Sequence, residues 1–134
     1  MATLTISSQI TFLYYQDLAV ARQFYEQLLG LALVEDQGWA RIYQVSPGAF
    51  IGIVDEAHGS LKTQPENAVM ITFVVDDVPG WYAYLQKQGV TIRREYGRSE
   101  EIQIEYFFVE DPGGYVIEFE RFLKPELAAV FGLT

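Results

Sequence analysis

The sequence of 134 residues is half hydrophobic and one-fifth charged, the balance of a compact globule of ordinary single-domain size. Its net charge of −9, from 18 acidic and nine basic residues, argues against a nucleic-acid partner and leaves acidity as a solubility device or as an attraction for cationic small molecules. There is no cysteine, and no Lys or Arg before Arg22; disulfides and thiolate metal sites are excluded, a basic secretory leader is not expected, no apolar run nears the roughly 20 residues of a membrane helix, and the cytoplasm is the expected location.

The first element is the apolar, β-branched and aromatic run Gln9-Ile10-Thr11-Phe12-Leu13-Tyr14-Tyr15, which reads as a strand. Asp17 follows as an N-cap, and Leu18, Ala21, Phe24, Tyr25, Leu28 and Leu29 recur at helical spacing. Gly30 supplies a left-handed exit. Strands are predicted over residues 32–35, 40–45 and 50–54, the last two joined by the turn Ser46-Pro47-Gly48. Residues 57–67, polar and broken by Gly59 and Pro65, read as a linker.

The series then begins again, its opening run shifted by 60 positions. Val69-Met70-Ile71-Thr72-Phe73-Val74-Val75 leads to Asp77 as a second N-cap. Val78, Trp81, Tyr82 and Leu85 form a helical face, with Pro79 in the first turn and Gly89 at the end. Strands are predicted over residues 91–94, 102–109 and 115–122, the last pair joined by Asp111-Pro112-Gly113-Gly114. The tail, 123–134, is expected to form a short helix whose Leu127, Val130 and Phe131 dock on the body or on a second subunit.

Two βαβββ modules result, about 6–56 and 68–122, in one α+β domain spanning 1–134. Their expected arrangement is a curled mixed sheet around a cleft, because a small sheet alone leaves one face bare.

The strand–Asp-Leu–helix opening, the segment Ala-Arg-Gln-Phe-Tyr-Glu-Gln-Leu-Leu-Gly-Leu (21–31) and the later Glu-Asp-Pro-Gly-Gly-Tyr-Val-Ile-Glu-Phe (110–119) together resemble the vicinal oxygen chelate superfamily of glyoxalases, bleomycin-resistance proteins and dioxygenases. The likeness runs over residues 9–122. The resemblance implies either a divalent-metal enzyme (a lyase, isomerase or dioxygenase) or a protein that only binds small molecules, since fold does not fix function. Carried over, the family's metal positions fall on Ile10, Gly52, Met70 and Glu118. Only Glu118 offers an oxygen ligand, too few for a site that takes three or four. No metal and no other cofactor is therefore expected.

Glu118 is the central candidate, as a partner for a ligand amine or as a general base. Alternatively it is a carboxylate satisfied by a neighbouring Tyr or Arg. On a floor of Ile10, Gly52 and Met70 it is expected to be poorly hydrated. Glu120 shares its face by strand alternation, and Glu110 and Asp111 lie at the hairpin. Phe12, Tyr14, Trp39, Tyr43, Tyr106 and Phe108 are either core or a wall that stacks flat ligands and attracts cations. The family pattern puts Tyr106 and Phe108 inward, whereas a pairing without bulges selects Phe107. The one histidine, His58, lies in the linker and reads as an exposed loop residue. No Gly-x-Ser-x-Gly segment supports a serine triad, and no phosphate-binding glycine motif is present. These features point to metal-free binding of a small planar molecule, cationic or neutral, in an acidic aromatic cleft. A metal-using enzyme and a metabolite-sensing subunit are the alternatives. A homodimer is expected from the apolar tail and from Trp81-Tyr82-Ala83-Tyr84, whose side chains cannot all face one sheet.

Overall fold

In a computed structural model that describes residues 3–134, the first apolar run forms β1 (Gln9–Tyr15). Asp17 caps the next element, its Oδ1 accepting from the Ala19 N–H at 3.0 Å. Helix α1 (Leu18–Arg22) then widens into a π-helical segment, Gln23–Leu28, where the sequence predicts a plain α-helix. The Leu29 N–H donates to the Phe24 carbonyl, five residues back, at 2.9 Å. Such wide turns are rare. Here the extra residue per turn lets the consecutive rings of Phe24 and Tyr25 both reach the interior, while Glu26 meets Arg41 and Tyr43 on the sheet.

Three antiparallel strands complete the module: β2 (Ala32–Asp36), β3 (Ala40–Ser46) and β4 (Ala49–Asp55). The sheet order is β1-β4-β3-β2, with β1 parallel to β4. Leu13, Tyr15, Tyr43, Ile51 and Ile53 are buried, as are Ala21, Phe24 and Tyr25 of the helical segment.

The second module repeats this plan with β5 (Met70–Val74), α2 (Val78–Lys87), β6 (Ile92–Ser99), β7 (Ile104–Glu110) and β8 (Val116–Phe122), ordered β5-β8-β7-β6. Asp77 caps α2 by accepting from the Gly80 N–H at 2.9 Å. Trp81 stacks on Phe119 with ring centroids 5.1 Å apart, and Tyr82 meets Phe107 at 5.0 Å. Phe107 lies flat on Phe119, at 5.1 Å and 5°. Burying each such ring stabilises the fold by roughly 2–3 kcal/mol. At the β7–β8 turn the buried Asp111 accepts from the N–H groups of Gly113 and Tyr115, both at 2.9 Å. Gly114 there has φ of +81°, a left-handed value that an L side chain resists.

The tail forms α3 (Pro125–Val130) and docks on its own module. Phe131 stacks on Phe122 at 4.6 Å. The Thr134 N–H and hydroxyl donate to Asp76 at 3.0 and 3.1 Å, and Arg121 donates to the Thr134 carbonyl at 2.9 Å. The Thr134 bonds and the Arg121 charge hold the Asp76 carboxyl below its ordinary range.

One expectation is overturned. The eight strands do not form a curled mixed sheet around a cleft; they form two separate, open four-stranded sheets, one per module. The reason lies in the pairing. Each module's first strand takes its own module's last strand as a parallel partner, so the ladders are complete within the module and end on edge strands. Residues 56–69 contain no strand that could continue either ladder. The chain divides into two compact units after Pro65.

Candidate functional site

In the second module α2 covers one face of the sheet, where Phe107, Val109, Ile117 and Phe119 are buried. Strand alternation turns Tyr106, Phe108, Glu118 and Glu120 to the opposite face. This settles the open question of register: Phe107 is core, and Tyr106 with Phe108 belongs to the carboxylate face. Cross-strand pairing builds a continuous rung there, Arg94–Phe108–Glu118–Thr72, one residue from each strand. In the adjacent row Glu120 pairs with Tyr106 on one side and Val74 on the other.

Thr72 donates its hydroxyl to Glu118 Oε1 at 2.9 Å. The Tyr106 and Phe108 rings lie 5.7 Å apart, and the Arg94 guanidinium carbon sits 5.5 Å from one centroid and 5.7 Å from the other. That is cation–π distance for both. Glu120 is only 8% exposed, and its carboxyl is pushed up to about 7, first by desolvation, then by the charge and hydrogen bond of Glu118. The poor hydration expected at Glu118 thus falls on Glu120. A raised Glu120 beside Glu118 gives this face a carboxyl group that can hold its proton toward neutral pH.

The other predicted residues are distributed differently. Met70 lies on the same face as Glu118, on β5, and is 46% exposed. Phe12 and Tyr14 lie on the open face of the first sheet with Ile10. The Phe12 ring lies across Gly52, filling the space a Cβ would need. Trp39 stays outside the strands and stacks on His58 at 6.3 Å. Tyr43 faces the helix, donates to Glu26 at 3.1 Å, and is pushed up to about 12 by burial and by that bond. Glu110 pairs with Arg93 at 3.2 Å. Arg94 and Thr72 are the residues that sequence reasoning missed. Thr72 was accessible by counting two from Met70. Arg94 was not, because bulges on either side of it re-phase β6.

The family model of the glyoxalase/bleomycin resistance protein/dioxygenase superfamily matches residues 7–119. The chain belongs to that superfamily. No curated protein matches it in sequence. Among solved structures it is similar to a glyoxalase/bleomycin resistance protein/dioxygenase from Nocardioides, at 16% identity and a TM-score of 0.73 over 93% of this chain and 87% of the other. TioX from Micromonospora sp. ML1 gives 17% identity and a TM-score of 0.72, covering 87% of this chain and 99% of that one. A lactoylglutathione lyase from Agrobacterium tumefaciens gives 20% identity and 0.68, covering 84% and 90%. Likeness at these identities establishes the shared fold.

The positions that hold a divalent ion in metal-using superfamily members do not suit one here. Gly52 has no donor, and its side-chain space belongs to Phe12. Ile10 and Met70 present hydrocarbon and a thioether, and Glu118 is already engaged by Thr72. Among the described residues no group of three or more His, Cys, Asp or Glu is placed to hold a metal ion. Nor is any helix among them long and apolar enough to cross a membrane.

Proposed function

We propose that this superfamily member binds a small planar molecule carrying a positive charge on the face of its second sheet opposite α2, with no divalent metal in the binding. The observation that carries the reading is the joining of Glu118 and Glu120 to the Tyr106 and Phe108 rings on the face opposite α2. Ring faces favour flat ligands and cations, and the carboxylates favour the same charge. The test is a titration with matched cationic and neutral planar compounds. Glu118→Gln should weaken the cationic ligands about tenfold and leave the neutral ones nearly unaffected; equal losses for both would sink the charge-based reading. Elemental analysis after purification without chelators should find far less than one equivalent of Zn, Ni, Fe or Mn. A full equivalent of any of them, lost in Glu118→Gln, contradicts metal-free binding.

A second reading has one observation in its favour. A carboxyl raised toward neutral pH, as at Glu120, can act as acid or base, so catalysis on a bound ligand follows if turnover appears and is lost in Glu120→Gln. We also propose that the protein is a cytoplasmic homodimer, with the exposed Tyr84 and Val130 as part of the contact. Trp81, Tyr82 and Phe131, engaged within their own module, contribute less. A clean 15.3 kDa species in sedimentation at tens of micromolar would exclude the dimer.

A further inference from the structure

Arg94 differs from every other arginine among the described residues. Arg22 pairs with Glu26, Arg41 with Glu26 and Asp36, Arg93 with Glu110, Arg98 with Glu105 and Arg121 with Asp76. Arg94 has no carboxylate partner, in a chain where acids outnumber bases two to one. It rests over the Tyr106 and Phe108 rings. A ring face attracts the positive charge yet offers no lone pair, so the guanidinium keeps its N–H donors for an acceptor from outside. Its place in the sheet gives that acceptor an address. Arg94, Phe108 and Glu118 are successive residues of one rung, so cation and carboxylate stand about two inter-strand spacings apart, roughly 10 Å, with an aromatic ring between them.

We infer that the ligand of this face is amphoteric: a planar body that lies along the rung over Phe108, an anionic group that seats on Arg94, and a cationic group that seats on Glu118 and Glu120. A carboxylate is the chemistry that best fits the fork of an arginine, through two parallel N–H···O bonds. A ligand with only a cation leaves Arg94 without its counter-charge and is repelled by it. One with only an anion meets the two glutamates. Oppositely charged ends also fix the direction in which the ligand lies. This inference rests on the reading of the face as a ligand site and adds the second charge to it.

Three probes separate the two. 6-(Aminomethyl)-2-naphthoate carries both groups across a flat body, 2-naphthylmethylamine carries the cation alone, and 2-naphthoate the anion alone. By calorimetric titration the zwitterion should bind roughly tenfold tighter than either singly charged compound. Arg94→Gln should abolish its advantage over the amine, and the amine, no longer repelled, should bind slightly tighter than before. Arg94→Lys, which keeps the charge and loses the fork, should fall between. Arg94 is exposed on an edge strand, so an unchanged unfolding midpoint should accompany both substitutions. If the amine binds as tightly as the zwitterion, or if Arg94→Gln leaves the ranking intact, the amphoteric ligand is refuted while the cation site stands. If none of the three binds, both readings fall together.

Discussion

The two modules are copies in topology and opposites in how they treat the same rung. In the first sheet the rung reads Glu35–Ile42–Gly52–Phe12, and the Phe12 ring folds over the bare Gly52 backbone. In the second it reads Arg94–Phe108–Glu118–Thr72, with a cation, a ring, a carboxylate and a hydroxyl in line. On one face the chain's own ring occupies the space beside the rung; the other carries the charged and polar groups on which the proposed binding rests. Duplicated backbone geometry therefore supplies two equivalent places, and side-chain identity at four positions decides which can recognise anything. The covering helices differ in the same spirit: Glu26 ties the first to Arg41 and Tyr43 by polar contacts, whereas α2 is held by ring contacts, Trp81 stacked on Phe119 and Tyr82 tilted against Phe107.

The comparison breaks most easily at the stacked core. Phe107→Ala should cost about 3–5 kcal/mol in urea unfolding, as for a fully buried ring, while Phe108→Ala on the opposite face should cost under about 1 kcal/mol. A reversed order would mean the strand is read in the wrong phase. Next comes the carboxyl pair. Glu120 has a folded value near 7 against an ordinary 4.5, so between these pH values the folded chain holds more protons than the unfolded one. Its favourable contribution is complete below 4.5 and is lost as pH rises through about 7. Glu120→Gln should therefore stabilise the protein by about 2 kcal/mol at pH 8 and by very little at pH 4, measured as unfolding midpoints across that range. A variant less stable than the parent at pH 8 would show that the buried acid is fully compensated.

Smaller changes sharpen the contrast between the rungs. Gly52→Ala should cost about 1 kcal/mol, because the Phe12 ring, 44% exposed, has to swing aside. In a Phe12→Ala background the penalty should vanish, and a double-mutant cycle reads the coupling. Thr72→Val, which gives the second module an apolar residue where the first has Phe12, should cost about 0.5 kcal/mol through the lost bond to Glu118.

Much of this was legible in the residues. Asp17 and Asp77 are caps where capping chemistry put them, the 60-residue shift does separate the opening strands of the two modules, and alternation joined Glu118 to Glu120. Two features were not. Whether the modules share one curled sheet depends on which strand finds which partner, and hydrophobic pattern does not encode partner identity. The facing of Tyr106 depends on the β7–β8 register, which runs without a bulge, and the position of Arg94 depends on bulges in β6, each of which flips every side chain beyond it. The choice of Glu120 as the desolvated acid follows from burial that only the assembled face creates.

The ring of Phe12 over Gly52 has a bearing on how such a sequence can change. A ligating side chain at position 52 would contest the volume the ring already occupies, so a histidine or glutamate arriving there alone meets an obstacle before it can offer any donor. The obstacle disappears if position 12 shrinks first, yet that step alone uncovers Gly52 and the strand beneath it. The two positions are thus tied in order. A ligating side chain at position 52 is separated from this sequence by a pair of substitutions in which the useful one comes second, and the intermediate has neither the packing of the present chain nor the donor of the next.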